Sequence, residues 1–314
     1  MNDNKFQFPE LRDIEKTAQG LALSIRRTPL IQSQTVPQLF LKCENLQLTG
    51  SFKIRPALSQ LLAASGVTER GVVTSSSGNF AQGVAMAASL LGINATVVMM
   101  QSASSLKMAR TREMGAQVVL CENRFEARNE MVTEIAQREG RVVVHPFDHF
   151  AAITGNGTIS LEILQELPLA SRIVAPISGG GLIAGVALAA KLTRPDIRII
   201  GVQPEGSNAT ALSFERKERT SIPEATTIAD GLMVTIPGVK TFQVIRQLVD
   251  EVLTVSEDSI RRATRHFLER ERLVVEPSGA VPMAAIMEEK VPAAGTVLVL
   301  SGGNISPELM AELS

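Results

Sequence analysis

Lys53 stands between Phe52 and Ile54 in LTGSFKIRP (48–56), just past a Gly-Ser turn and the apolar run LFLKCEN (39–45). A lysine there either extends its ammonium back to water or is desolvated and held for nucleophilic or acid–base work. Three further segments put Gly, Ser and Asn where an apolar run gives way to a helical pattern: SSSGNFAQG (75–83), SGGGLIAG (178–185) and SGGN (301–304). Junctions of this kind turn unpaired backbone N–H groups toward one crevice. The three consecutive glycines of SGGGLIAG suit a nest for one phosphate. They also fit the dinucleotide pattern G-x-G-x-x-A, with Glu205 as the ribose-binding acid, or a plain tight turn. Ser77-Gly78-Asn79 serves equally as a helix cap.

Other chemistries find no footing. His145-x-x-x-His149 needs a helix to bind a metal, and Pro146 opposes one. No G-x-S-x-G elbow is present, and no pair of hydrolase carboxylates stands out. The chain has no Tyr and no Trp, which excludes a tyrosine acid, base or stacking ring. With 31 Lys and Arg against 32 Asp and Glu, its net charge of −1 gives no footprint for nucleic acid or a polyanionic membrane. No signal-like leader or 18-residue apolar span occurs, and Cys43 and Cys121 lie in apolar runs as core thiols. A cytoplasmic location follows. What remains is a lysine, a phosphate cradle and polar groups at strand ends, which together suggest a Schiff base with pyridoxal 5'-phosphate.

The elements that must position these groups alternate. Short β-branched runs at 39–45, 71–76, 94–100, 116–121, 141–146, 172–178, 198–204, 251–257 and 296–302 are separated by amphipathic stretches. The pattern predicts an α/β protein with two open, twisted, mostly parallel sheets covered by helices. Four runs between Val72 and His145 recur about every 22 to 25 residues. They form a small domain, 71–148, inserted into a large cofactor-binding domain of 1–70 plus 149–314. Residues 205–240 carry little periodicity, so they are functional or hide an element.

Taken together, RTPL (27–30), LKCENLQLTGSFKIR, SSGNFAQG, TGNGTI (154–159), PISGGGLIAG, TIADG (227–231), VEPSGA (275–280) and LSGGN (300–304) resemble the fold-type II pyridoxal-phosphate enzymes. The likeness is to the threonine/serine dehydratase and serine racemase group of the tryptophan synthase β-like superfamily, and it runs nearly end to end. It implies that Lys53 binds the cofactor aldehyde and then serves as α-carbon base. It implies phosphate binding by the N–H groups of Gly179, Gly180, Gly181 and Leu182, and cofactor contacts from Phe52, Asn79, Gly231, Glu276 and Ser301. Ser76, Ser77 and Asn79 are expected to grip the substrate carboxylate, with Ser77 also catalytic. Arg128 is either an exposed helix charge or a ligand for a second carboxylate. A serine at the ring nitrogen, unlike an aspartate, leaves that nitrogen unprotonated and favours β-elimination.

The implied reaction is elimination from L-threonine or L-serine, giving 2-oxobutanoate or pyruvate and ammonia. The alternatives are serine racemisation, a 3-hydroxyaspartate dehydratase or racemase, and, in a different class, a nicotinamide-dinucleotide-binding protein. Three departures from the family pattern bear on substrate and regulation. Phe80 replaces the usual histidine. Gln203 and Ala209 stand where relatives carry metal-binding carboxylates, so no metal is expected. The chain runs only to Ser314, ten residues past Asn304, so no regulatory domain is expected. A homodimer is implied by analogy.

Overall fold

The computed structural model describes residues 7–64 and 66–313. Every apolar run named above contains a strand: β2 Leu39–Lys42, β3 Val72–Ser75, β4 Ala95–Met100, β5 Gln117–Cys121, β6 Val142–Val143, β7 Arg172–Pro176, β8 Arg198–Pro204, β9 Glu251–Val255 and β10 Thr296–Val299. A further short strand, β1 Leu30–Gln32, pairs antiparallel with β2. The larger sheet runs β1-β2-β10-β7-β8-β9, parallel apart from that first pair. The smaller sheet is parallel throughout, in the order β5-β4-β3-β6. β10 therefore enters the interior of the larger sheet, with Val299 opposite Lys42 and Leu298 opposite both Leu41 and Val174.

The helices are α1 Leu11–Leu21, α2 Ile54–Ala63, α3 Val67–Arg70, α4 Asn79–Leu90, α5 Ser105–Glu113, α6 Phe125–Glu139, α7 Phe150–Glu166, α8 Gly181–Thr193, α9 Ala209–Arg216, α10 Val239–Leu248, α11 Glu257–His266, α12 Pro277–Met287 and α13 Pro307–Leu313. Strand residues alternate between two buried layers, as a pleat covered on both faces requires. On β7, Ile173 and Ala175 face the layer that holds α7 and α8, whereas Val174 faces the layer of α11 and α12. The smaller sheet alternates likewise, Val72 toward α4 and Val73 toward α6. The α4 layer also takes Leu21, Ala57, Leu58 and Leu61 from segments that precede the smaller sheet.

Helix α2 lies between α7 and α4, and so touches the elements of both sheets. Glycine makes that contact possible. A Cβ on Gly155 would lie 2.7 Å from the Arg55 carbonyl, and one on Gly185 would lie 2.4 Å from the Ile153 carbonyl. Backbone therefore meets backbone where α7 crosses α2 and α8.

A buried charge cluster pins the same junction. Arg55, fully buried, pairs through Nε with Glu44 at 2.9 Å and through Nη1 with Glu162 at 2.7 Å. Lys42, also fully buried, reaches Glu162 at 2.6 Å. Residues 205–240 do hide an element, α9. The coil after it is tied down by Thr220 N–H to Ser213 Oγ (2.9 Å) and Arg219 Nε to the Pro237 carbonyl (3.0 Å). Among the described residues no helix is long and apolar enough to cross a membrane.

Candidate active site

Ligand crevices in open parallel sheets form beyond the carboxyl ends of the strands. Each singled-out segment follows such a strand, and segments 48–56, 75–83 and 301–304 touch one another. Lys53 is the residue that precedes α2, after a turn stitched to the segment that follows β10. Phe52 N–H donates to the Ser301 carbonyl at 3.0 Å, Gly303 N–H donates to the Gly50 carbonyl at 2.8 Å, and Ser51 bridges Gly302. From the other side α4 closes in, since a Cβ on Gly83 would lie 2.8 Å from the Lys53 carbonyl carbon. The Lys53 ammonium sits 4.7 Å from the Phe52 ring centroid and 6.0 Å from that of Phe80. Burial lowers its pKa from 10.5 to about 8, against the opposing pull of Glu276. This is a desolvated amine suited to nucleophilic and base chemistry near neutrality.

Glu276 is its counterpart. Burial and the charge of Asp230 push its carboxyl up to about 7, opposed by the Asn79 hydrogen bond and by Lys107 and Lys53. Asn79 Nδ2 donates to Glu276 Oε1 at 2.7 Å, and Asn79 Oδ1 accepts from Asn304 Nδ2 at 2.8 Å. Asn79 opens α4, and the half-buried loop before it carries Ser76 and Ser77, with Gly78 N–H donating to Ser76 Oγ at 3.3 Å. Phe80, where a polar contact is missing, packs at 2% exposure in the core beneath Lys53.

The triple glycine caps α8. Gly180 adopts φ +93°, a left-handed conformation natural to glycine. Cβ atoms at Gly179 and Gly181 would strike Phe147, at 2.6 and 2.9 Å. The Gly179 carbonyl is held by Thr241 Oγ1 (2.7 Å) and by Gly238 N–H (3.2 Å). The first bond of the α8 ladder runs from Ala184 N–H to the Gly180 carbonyl, so the N–H groups of Gly181 and Leu182 precede the ladder. A cradle closed to side chains, with unpaired amides at a helix start, fits a phosphate. Together with an uncharged-prone lysine it fits a phosphorylated aldehyde cofactor.

Two expected contacts are narrowed. Gly231 N–H already donates to Ser278 Oγ at 3.0 Å, so it is not free for a ligand. Arg128 lies half-buried on α6, the layer across the smaller sheet from α4, where burial lowers its pKa beside Cys121. Ser301, 5% exposed, lies at the end of β10.

Sequence reasoning passed over several supporting residues. Asp148 caps α10, accepting from the N–H groups of Val239 (2.9 Å), Lys240 (2.8 Å) and Thr241 (3.1 Å). His145 Nδ1 accepts from Phe147 N–H (3.2 Å) and Asp148 N–H (2.8 Å), which leaves Nε2 as the protonated nitrogen of the neutral ring. Burial lowers its pKa, and Lys53 contributes to that shift. The HPFD run next to RVVV was the available signal.

Comparisons with known proteins agree with this geometry. The chain is 44% identical over 300 residues to an L-threonine ammonia-lyase of Geobacter sulfurreducens, covering 93% of this chain and 75% of that protein. Its fold matches maize serine racemase with a TM-score of 0.93 at 35% identity, covering 98% and 97% of the two chains. It matches the processed form of threonine deaminase isoform 2 from Solanum lycopersicum with a TM-score of 0.90 at 30% identity, covering 99% and 95%. The family model of pyridoxal-phosphate dependent enzymes matches residues 21–302, and the chain belongs to that family.

Proposed function

We propose that this protein is an ammonia-lyase that removes the β-hydroxyl of L-threonine or L-serine, releasing 2-oxobutanoate or pyruvate and ammonia. The observation that carries the reading is Lys53, a desolvated amine over Phe52, whose ring shares a core cluster with Leu182 of the triple-glycine turn, and pressed from the other side by α4 at Gly83. The threonine ammonia-lyase of Geobacter sulfurreducens supports the choice of substrate.

The cofactor, when bound, supplies an electron-withdrawing ring conjugated with the substrate nitrogen. In this reading the N–H groups of Gly179, Gly180, Gly181 and Leu182 hold its phosphate, and Phe52 packs beside its ring. Asn79 would donate an amide hydrogen to the ring oxygen, with Glu276 taking the other, and Gly231 would contact the ring. Ser301 would lie at the ring nitrogen, where a hydroxyl, unlike a carboxylate, does not keep it protonated, and this would favour loss of a β-substituent. Ser76, Ser77 and Asn79 would bind the single carboxylate of threonine or serine, and Arg128 would serve a second carboxylate only in the 3-hydroxyaspartate reading. Lys53 Nζ would take the α-proton, and the β-hydroxyl would leave as water with that proton returned to it. The released unsaturated amine would take up water to give the 2-oxo acid and ammonia.

Racemisation of serine, or turnover of 3-hydroxyaspartate, is the second reading. The hydroxyl of Ser77 and the likeness to maize serine racemase favour it. We also propose the domain division 1–70 plus 149–314 and 71–148, a homodimer, and a cytoplasmic location consistent with two free buried cysteines. The absence of a metal is supported by Gln203, whose amide accepts from Ala211 N–H (2.8 Å) and donates to the Ile177 carbonyl (3.4 Å).

The test is Lys53→Ala. The purified variant should lose both the visible absorbance of bound cofactor and the release of 2-oxo acid from a panel of β-hydroxy amino acids. A variant that keeps both refutes the proposal, and D-serine formation by the wild type would select the second reading.

A further inference from the structure

We propose that Asn304 is a positioning residue that fixes which end of the Asn79 amide faces the crevice. The inference rests on the reading of Asn79 as a donor to an anionic oxygen of the cofactor. The argument starts at a group with no choice. The Thr49 backbone carbonyl can only accept, and it receives Asn304 Nδ2 at 2.8 Å. The same nitrogen sends a hydrogen to Asn79 Oδ1 at 2.8 Å. Asn79 must therefore turn its oxygen toward Asn304 and its nitrogen the other way, where one hydrogen goes to Glu276 Oε1 at 2.7 Å. The second hydrogen of Asn79 Nδ2 is left for a ligand. Reversing the amide would set its NH2 against that of Asn304, whose own orientation Thr49 fixes, so an attractive contact would become repulsive.

Asn304 is itself seated. Gly50 has φ +69°, and a Cβ there would lie 2.5 Å from Asn304 Oδ1, so the amide lies flat on the turn that leads to Lys53. Polarity thus passes from a main-chain carbonyl, through two amides, to the crevice. It joins positions 255 and 225 residues apart in the chain. Lys53, Asp230 and Lys107 are the charges that bear on Glu276, and the variants below leave all three in place.

The experiment titrates the visible absorbance of the bound cofactor against pH in the purified holoenzyme. The wild type is compared with Asn79→Ala, Asn304→Ala, Asn304→Leu and the double alanine variant. Loss of one donor to a charged oxygen should move the midpoint by about half a pH unit or more. Both single alanine variants should move it in the same direction, and the double variant should go no further than Asn79→Ala. Asn304→Leu keeps the size of the side chain and adds no charge yet donates to neither Thr49 nor Asn79, so it should reproduce the shift even if Asn304→Ala folds poorly. A midpoint that moves in Asn79→Ala but stays fixed in both Asn304 variants overturns the proposal. A midpoint unmoved by Asn79→Ala overturns the underlying reading of Asn79 as well, which separates the two failures.

Discussion

Replacing Glu162 by glutamine removes one of two anions that balance two buried cations. Lys42 and Arg55 are both 0% exposed, and Glu162 holds them at 2.6 and 2.7 Å. Glutamine keeps the shape of the side chain. It leaves Glu44 alone against Lys42 and Arg55, a net positive charge in the interior, and points an NH2 group at a cation. Breaking a buried pair from one side costs about 3–5 kcal/mol, because the stranded charge has lost water as well as its partner. The internal control is Glu166, one turn further along α7, which pairs with Arg27 at 2.9 Å in a half-exposed setting. Glu166→Gln should cost no more than about 0.5 kcal/mol. Urea unfolding followed by circular dichroism measures both variants. The carboxyl of Glu162 suffers burial, but the charges and hydrogen bonds of Arg55 and Lys42 outweigh it and lower its pKa. The stability it contributes is therefore present at neutral pH and lost as pH falls through that lowered value, a loss absent from Glu162→Gln. Equal costs for Glu162→Gln and Glu166→Gln would refute the claim that the cluster acts as a desolvated unit.

Glu276 titrates in the opposite sense. Its pKa is raised from 4.5 to about 7, so the folded state holds a proton that the unfolded state has released, and stability falls as pH rises across that window. Relative to wild type, Glu276→Gln should gain about 3 kcal/mol between pH 4.5 and about pH 8 in pH-resolved unfolding experiments, and a pH-independent difference would contradict this. Gly83→Ala places a methyl group 2.8 Å from the main chain of Lys53, which has no rotamer with which to yield. The substitution should cost about 1–3 kcal/mol and weaken cofactor binding about tenfold, measured by titrating the apoenzyme, because α4 must shift away from α2. Unchanged affinity would show that the crevice absorbs the shift.

The strands were legible because buried parallel strands are short runs rich in β-branched residues, and RIIGVQP and TVLVLSG are too short for a helix and bounded by turn residues. β1 was not, since three residues after Pro29 give no alternation to read. Helix α7 was visible only as the motif TGNGTI. Its two glycines argue against a helix locally and are required by the approach of α2 and α8, a demand that arises in three dimensions. Helix α12 is hidden in the same way by Gly279 and Pro282. Lys53 and the triple glycine could be found because each carries its chemistry in adjacent residues. The Lys42–Glu44–Arg55–Glu162 cluster could not, because Glu162 lies 120 and 107 positions from its two cations.

The place of β10 carries a consequence for biogenesis. During synthesis β2 and β7 emerge with nothing between them, and each exposes an unsatisfied hydrogen-bonding edge until Thr296–Val299 arrives to fill the gap. Until then the lysine turn lacks the carbonyl of Ser301, and the amide relay lacks its first member. A ribosome-bound nascent chain would thus present an incomplete, adhesive half-sheet without reactive geometry. Catalytic competence would appear abruptly, at the moment β10 fills the gap.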